Sequence, residues 1–188
     1  MKKPDIILFT SDGMRLDSLV CMGNSAAWTP HMDALVQDGV AFRNAYSQSP
    51  VGVPGRCSVM IGLYPHTTGH RTMHFLLRED EPNLMKIMQE GGYEVIWAGR
   101  NDLIPGTRKR SECCDICFDG IHDTDTKGWT SYLNTTGKRM TIRSREPDYS
   151  FFNGSQNGQE KTDENCVLNI LRYLDEKKKR NDGKPFFI

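Results

Sequence analysis

The sequence predicts an α/β domain: a doubly wound, mainly parallel sheet flanked by helices. Two observations lead there. Short apolar runs alternate along the chain with amphipathic stretches of helical period, the order that builds parallel sheets. The runs "DIILFT" and "YEVIWAG" are also close to continuously apolar, as strands covered on both faces are. No internal repeat competes with this reading.

Each element has its own local reason. Residues 5–10, behind Pro4, form an apolar run of strand length that stops at Ser11, Asp12 and Gly13. Thr29 is placed to cap a helix that Pro30 opens and Gly39 ends, with Met32, Leu35 and Val36 on one face. "VAFRNAY" (40–46) alternates as a strand should, and the glycine-rich "GVPGR" (52–56) leads into "RCSVMIG", a buried helix start. "EPNLMKIMQEGG" (81–92) predicts a helix facing Leu84, Ile87 and Met88 inward, with a buried strand over 93–99. Residues 119–161 are polar and turn-rich, which predicts an irregular insertion or long loop within a single domain rather than a second domain. "TDENCVLNILRYLDEKKKR" (162–180) predicts a helix capped by Thr162, with Val167, Ile170, Leu171 and Leu174 on its apolar face and cations at its negative end. "KPFFI" (184–188) then starts a strand and stops, which reads as a domain cut short after its first part.

Composition narrows the partners. A chain of 188 residues suits one domain, burying about two-thirds of its unfolded surface. Lys plus Arg and Asp plus Glu number 24 each, so the strongly basic face that nucleic acid or an anionic membrane requires is not expected, although a local anion site is. No apolar run is long enough to span a bilayer, and the opening "MKKPDIILFTSDG" lacks a leader pattern, which predicts a cytoplasmic protein. The six cysteines are then expected as thiols. Cys114 and Cys117 form a CxxC without a second pair at ligand spacing, so half-buried thiols are a better reading than zinc. The acceptor tripeptides at Asn134 and Asn153 matter only in a secreted chain.

Two short motifs carry chemistry. Asp12 directly follows the first predicted strand, at the carboxyl edge where parallel sheets assemble their sites, and its carboxylate suits a hard cation. An Asp before a Gly is equally ordinary turn chemistry. The loop Gly52–Arg56 aims backbone N–H groups and the positive helix end at one point, with the forked charge of Arg56 beside it. It too has a plain reading, as a structural turn.

The ordered blocks "PDIILFTSDGMRLDSLVCMGN", "TPHMDALVQDGVAFRNAYSQSPV", the P, R and S of "VPGRCS", "GLYPHTTGH" and "EPNLMKIMQEGGYEVIWAGRNDL", with "KPFFI" after 161, resemble the N-terminal part of the sulfatase family of the alkaline-phosphatase superfamily. The resemblance covers most of the chain outside 119–161. It implies a hydrolase of sulfate esters, or of related phosphate or phosphonate esters, that uses a divalent metal, Ca²⁺ ahead of Mg²⁺ or Mn²⁺. It also implies a formylglycine made from Cys or Ser in a C/S-x-P-S-R motif. Here that motif reads Gly52-Val53-Pro54-Gly55-Arg56, so formylglycine cannot form and Gly52 is a vacant nucleophile position. The same resemblance implies Asp12 as a metal ligand, Arg56 as the former partner of the nucleophile, and Arg100 as a sulfate-contacting cation. Asp102 stands where the family carries a histidine, and both Arg100 and Asp102 also suit a plain strand-end surface. His70 and Arg71 are expected along the substrate cleft, His66 and His74 at the surface, and Cys57 inert in the core. The implied partner is a sulfated or phosphorylated small molecule or sugar. The reading is therefore a sulfatase-like chain that is itself inactive, or else a pseudoenzyme that holds such a ligand without cutting it.

Overall fold

The structure, a computed structural model, describes residues 2–11, 13–72, 74–99, 103–104, 113–118 and 158–188. The chain divides into two compact units, residues 9–75 and residues 1–8 with 76–188.

The second of these units holds the sheet. Strands β1 (Glu94–Ala98), β2 (Ile116–Phe118) and β3 (Phe186–Phe187) lie in the order β2-β1-β3, all parallel. The register pairs Ile96 with Ile116 and Val95 with Phe187. The chain's first segment lies on the other side of β3: Ile6 donates to Phe186 at 2.9 Å, and Ile188 donates back to Ile6 at 3.0 Å. A parallel sheet with non-sequential neighbours bears out the predicted fold class. Helix α4 (Leu84–Glu90) precedes β1, with the Asn83 side chain accepting from the Lys86 amide at 3.2 Å as a proper N-cap. Helix α5 (Gly158–Arg180) packs on the sheet, where Tyr173, Ile96 and Phe186 are buried together against Ile116, Phe118 and Leu174. Each such side chain contributes about 1.5–3 kcal/mol of burial.

One polar node sits in this packing. The Glu94 carboxylate, at the amino end of β1, accepts from the Tyr173 hydroxyl at 2.6 Å, from Lys177 at 3.2 Å and from Arg180 at 2.9 Å. Burial works against the charge of Glu94, but hydrogen bonds from Tyr173, Arg180 and Lys177 outweigh it and hold the carboxyl below its ordinary range. Burial and then the Glu94 carboxylate push the Tyr173 phenol upward.

The unit formed by residues 9–75 carries two 3₁₀ turns (Leu16–Ser18, Val20–Met22) and helices α1 (Pro30–Asp38), α2 (Gly52–Ile61) and α3 (Pro65–Thr68). Helix α2 buries Val53, Pro54, Cys57, Ser58 and Met60 and ends on Gly62 in the left-handed region, whose amide closes onto Ser58 at 2.8 Å.

Several expectations need correction, for one common reason: a pattern marks what could be buried, and neighbours decide what is. Residues 5–10 make ladder bonds only through Ile6 and Leu8, and Ile7 and Phe9 are exposed. This segment is the sheet's edge among the described residues, and the exposure of Ile7, Leu8 and Phe9 shows that it is not buried on both faces. Residues 40–46 form no strand; no ladder partner meets them, and Val40, Phe42 and Tyr46 are exposed. Thr29 does not cap α1: its hydroxyl instead accepts from the Val20 amide at 3.1 Å, and Leu35 points to solvent. In α4 the fully buried residue is Met85, while Ile87 is exposed. Helix α5 starts before Thr162, and from residue 165 onward its buried residues are Cys166, Asn169 and Tyr173, with Val167 and Leu171 outside. The stripe is turned because Tyr173 brings its hydroxyl to Glu94. Strand β2 has too little apolar length to announce itself. Residues 119–157, including Asn134 and Asn153, lie outside the described residues.

Candidate functional site

The start of α2 is shaped by what is missing from it. The N-cap residue, Val51, sits in extended backbone and offers no side-chain acceptor to the helix. Pro54 has no N–H, and the Gly55 amide already reaches the Val51 carbonyl at 3.0 Å. The amides of Gly52 and Val53 therefore open the helix without intrahelical partners, at the positive end of its dipole. Arg56 lies one turn after Gly52, a spacing that puts both on one helix face with the Cα–Cβ bond tilted back toward the start. It is half-buried and engaged in other contacts.

The two glycines of this motif are not equivalent. A Cβ built on Gly52 would meet nothing within 4 Å, and its φ is ordinary, so a side chain would fit there without strain. A Cβ on Gly55 would come within 3.1 Å of the Ser49 carbonyl oxygen and 3.4 Å of the Ser47 hydroxyl. That approach is fixed by the turn before the helix, in which Ser47 donates to Ser49 at 2.8 Å and Val51 donates to the Ser49 hydroxyl at 3.2 Å. Behind the turn, Ser58 donates to Leu63 at 2.6 Å. Gly55 is thus held by packing, whereas Gly52 is open.

Among the other sequence-predicted residues, Cys57 is fully buried, in keeping with an inert thiol. His70 is 1% exposed, and its Nδ1 lies 2.7 Å from the Phe75 carbonyl, so Nδ1 carries the hydrogen in that bond. Arg71, next to it, is exposed. His66 is exposed and stacks on Tyr64 with ring centroids 5.5 Å apart, and His74 is exposed. Asp12, Arg100 and Asp102 lie outside the described residues. The structure therefore brings together Gly52, Val53 and Arg56 on α2. Among the described residues no group of three or more His, Cys, Asp or Glu side chains is placed to hold a metal ion. Nor is any described helix long and apolar enough to cross a membrane. Sequence reasoning missed the Glu94 node, because its members are 79 to 86 positions apart and no local pattern joins them.

Comparison with known proteins gives concordant matches. The family model described as Sulfatase matches residues 4–188. An ulvan-active sulfatase of Formosa agariphila is 34% identical over 104 residues, 55% of this chain and 21% of that one. An N-acetylglucosamine-6-O-sulfatase of Bacteroides thetaiotaomicron is 27% identical over 80% of this chain and 29% of its own. Among solved structures, a protein in complex with its substrate D-glucosamine-2-N,6-O-disulfate superposes with a TM-score of 0.54 at 26% identity, over 57% of this chain and 22% of that one. The phosphonate monoester hydrolase of Agrobacterium radiobacter shares the fold, with a TM-score of 0.68 at 22% identity over 98% of this chain and 40% of its own. The chain thus spans between about a fifth and a third of the length of the two curated relatives.

Proposed function

This chain belongs to the sulfatase family, and from that premise we propose that it keeps the family's anion-receiving helix end while lacking the atom that reacts there. The observation that carries the reading is Gly52, which opens α2 without a side chain in space where a Cβ meets no neighbour. Formylglycine requires an oxidised Cβ, so the residues present do not fit that group and no hydrolytic step is routed through it. A sulfate ester at this helix end would meet two amide donors and the Arg56 guanidinium, but no nucleophile. Removing the nucleophile of a hydrolase costs about 10⁶ in rate and leaves roughly 10³–10⁴ over water. On inert sulfate esters that remainder is negligible.

The remaining roles follow from the same reading. Arg56 and Arg100 would contact the anion, Arg71 would flank it, and Asp102 would stand in place of the family's histidine; His70, expected along the cleft, is instead buried against the Phe75 carbonyl and would support this segment from within. Asp12 would be one ligand of a divalent cation, Ca²⁺ ahead of Mg²⁺ or Mn²⁺. The ligand class is a sulfated or phosphorylated sugar or small molecule, in keeping with a relative named for N-acetylglucosamine-6-O-sulfate and a neighbour bound to a glucosamine disulfate.

The test is hydrolysis of an aryl sulfate and an aryl phosphate by purified protein with Ca²⁺ or Mn²⁺. No turnover above that of Asp12→Ala is expected; metal-dependent turnover that Asp12→Ala abolishes would overturn the inactive reading. A second reading, a pseudoenzyme that binds without cutting, is favoured by the free helix donors at Gly52 and Val53. It predicts a raised melting temperature with sulfate or glucosamine-6-sulfate, since a ligand that binds only the folded state stabilises it.

A further inference from the structure

A second concentration of charge lies at the opposite end of the sheet unit from the carboxyl edge where parallel sheets keep their chemistry. The parallel pairing of Ile6 with Phe187 brings residues 2–5 and 182–185 to the same amino edge, and the last turn of α5 arrives there through the short connection to β3. Together they line a pocket of about 290 Å³.

Three exposed lysines from three separate segments line this pocket: Lys2, Lys178 and Lys184. None of their ammonium groups has a hydrogen bond or ion pair among the described residues, in contrast to their neighbours. Lys177 is held by Glu94 at 3.2 Å and by Asp182 at 2.7 Å, and Lys3 donates to the Gly91 carbonyl. The two acids of the pocket are held by hydrogen bonds within it. Asp5 accepts from the Phe186 amide at 3.1 Å, and Asp182 accepts from Lys177 and from the Lys184 amide. The pocket's lining carries five lysines (Lys2, Lys3, Lys177, Lys178 and Lys184) against the two carboxylates of Asp5 and Asp182, an excess of three positive charges in a chain whose formal net charge is zero. A helix's preference for cations in its last turn accounts for Lys178, but Lys2 and Lys184 are not on a helix. Leu174 and Pro185 add apolar wall to the same pocket, and Asn181 adds an amide.

Cations around an apolar wall suit a ligand with anionic substituents on a ring that presents C–H faces and hydroxyls. We propose that this pocket is a docking site for a sulfated oligosaccharide chain, non-catalytic and separate from the start of α2. The proposal takes from the reading above only the ligand class.

The test is binding of the intact chain to a size-defined heparin oligosaccharide, across a salt series. The expected result is at least a tenfold weaker Kd, with a shallower salt dependence, for Lys2→Gln/Lys178→Gln/Lys184→Gln. Near-normal binding is expected for the charge-conserving Lys2→Arg/Lys178→Arg/Lys184→Arg protein. Arg56→Gln should leave this binding unchanged while removing any thermal shift produced by glucosamine-6-sulfate. Unaltered binding in the glutamine triple variant overturns the docking site, whatever happens at α2. Equally tight binding of single-stranded DNA of matched charge overturns the assignment to a glycan.

Discussion

The start of α2 and the Glu94 node are opposite solutions to placing charge in one chain. At α2, the amides of Gly52 and Val53 open the helix at the dipole's positive end with no side-chain acceptor built in, although Val53 itself is buried. At Glu94, one carboxylate is saturated by a phenol, an ammonium and a guanidinium. The difference separates a receptive site from a structural clamp. A polar cluster that completes itself stabilises the fold, whereas one left incomplete awaits a ligand.

The largest effect that could break this contrast is catalytic. If α2 receives an anion without reacting, the chain should fall about 10⁶-fold below a nucleophile-bearing hydrolase, which a single-turnover assay on an aryl sulfate would read.

Next in size is the clamp. Glu94→Ala should cost about 2–3 kcal/mol, because charged hydrogen bonds are lost and buried partners are left unpaired. The urea midpoint reports it. The pH dependence of the same node has two signs. The folded pKa of Glu94 is lowered, so its contribution is present above the ordinary carboxylate range and is lost as pH falls through the folded value. The pKa of Tyr173 is raised, so its contribution is present below about pH 10 and is lost as pH rises through the folded value. A stability–pH curve of Glu94→Gln should have a shallower acid limb than wild type, the remainder coming from carboxylates such as Asp182.

Smaller effects sharpen the α2 side. Gly55→Ser should cost about 1 kcal/mol, because its Cβ is forced against the Ser49 carbonyl. Gly52→Cys should leave stability within about 0.5 kcal/mol of wild type, because nothing lies within reach. Equal costs at the two glycines would show that the vacancy at residue 52 is not a real feature of the packing.

Much of this was legible in the chain itself, in an uneven way. The α/β class, the strand at 94–98 and helices α1, α2 and α4 follow from period, proline and glycine. The motif at 52–56 is likewise local, but it reads as a loop ahead of the helix, whereas Gly52 to Arg56 form the first turn of α2 itself. Burial was not. Val40, Phe42 and Ile7 look like core yet are exposed, because apolar side chains leave water only when other elements cover them. The inner face of α5 was misjudged for the converse reason: Asn169 and Tyr173 are buried although neither counts as purely apolar. The Glu94 node and the lysine pocket join residues that are far apart in the chain, and only the strand register brings them together.

The central claim is that α2 begins with an open, anion-receptive end, and titrating the backbone amide resonances with sulfate and with glucosamine-6-sulfate tests it most directly. Saturable shifts at Gly52 and Val53, with the Val95 amide beside the Glu94 node unmoved, are the predicted result. Amides at Gly52 and Val53 that stay still while others respond would contradict it.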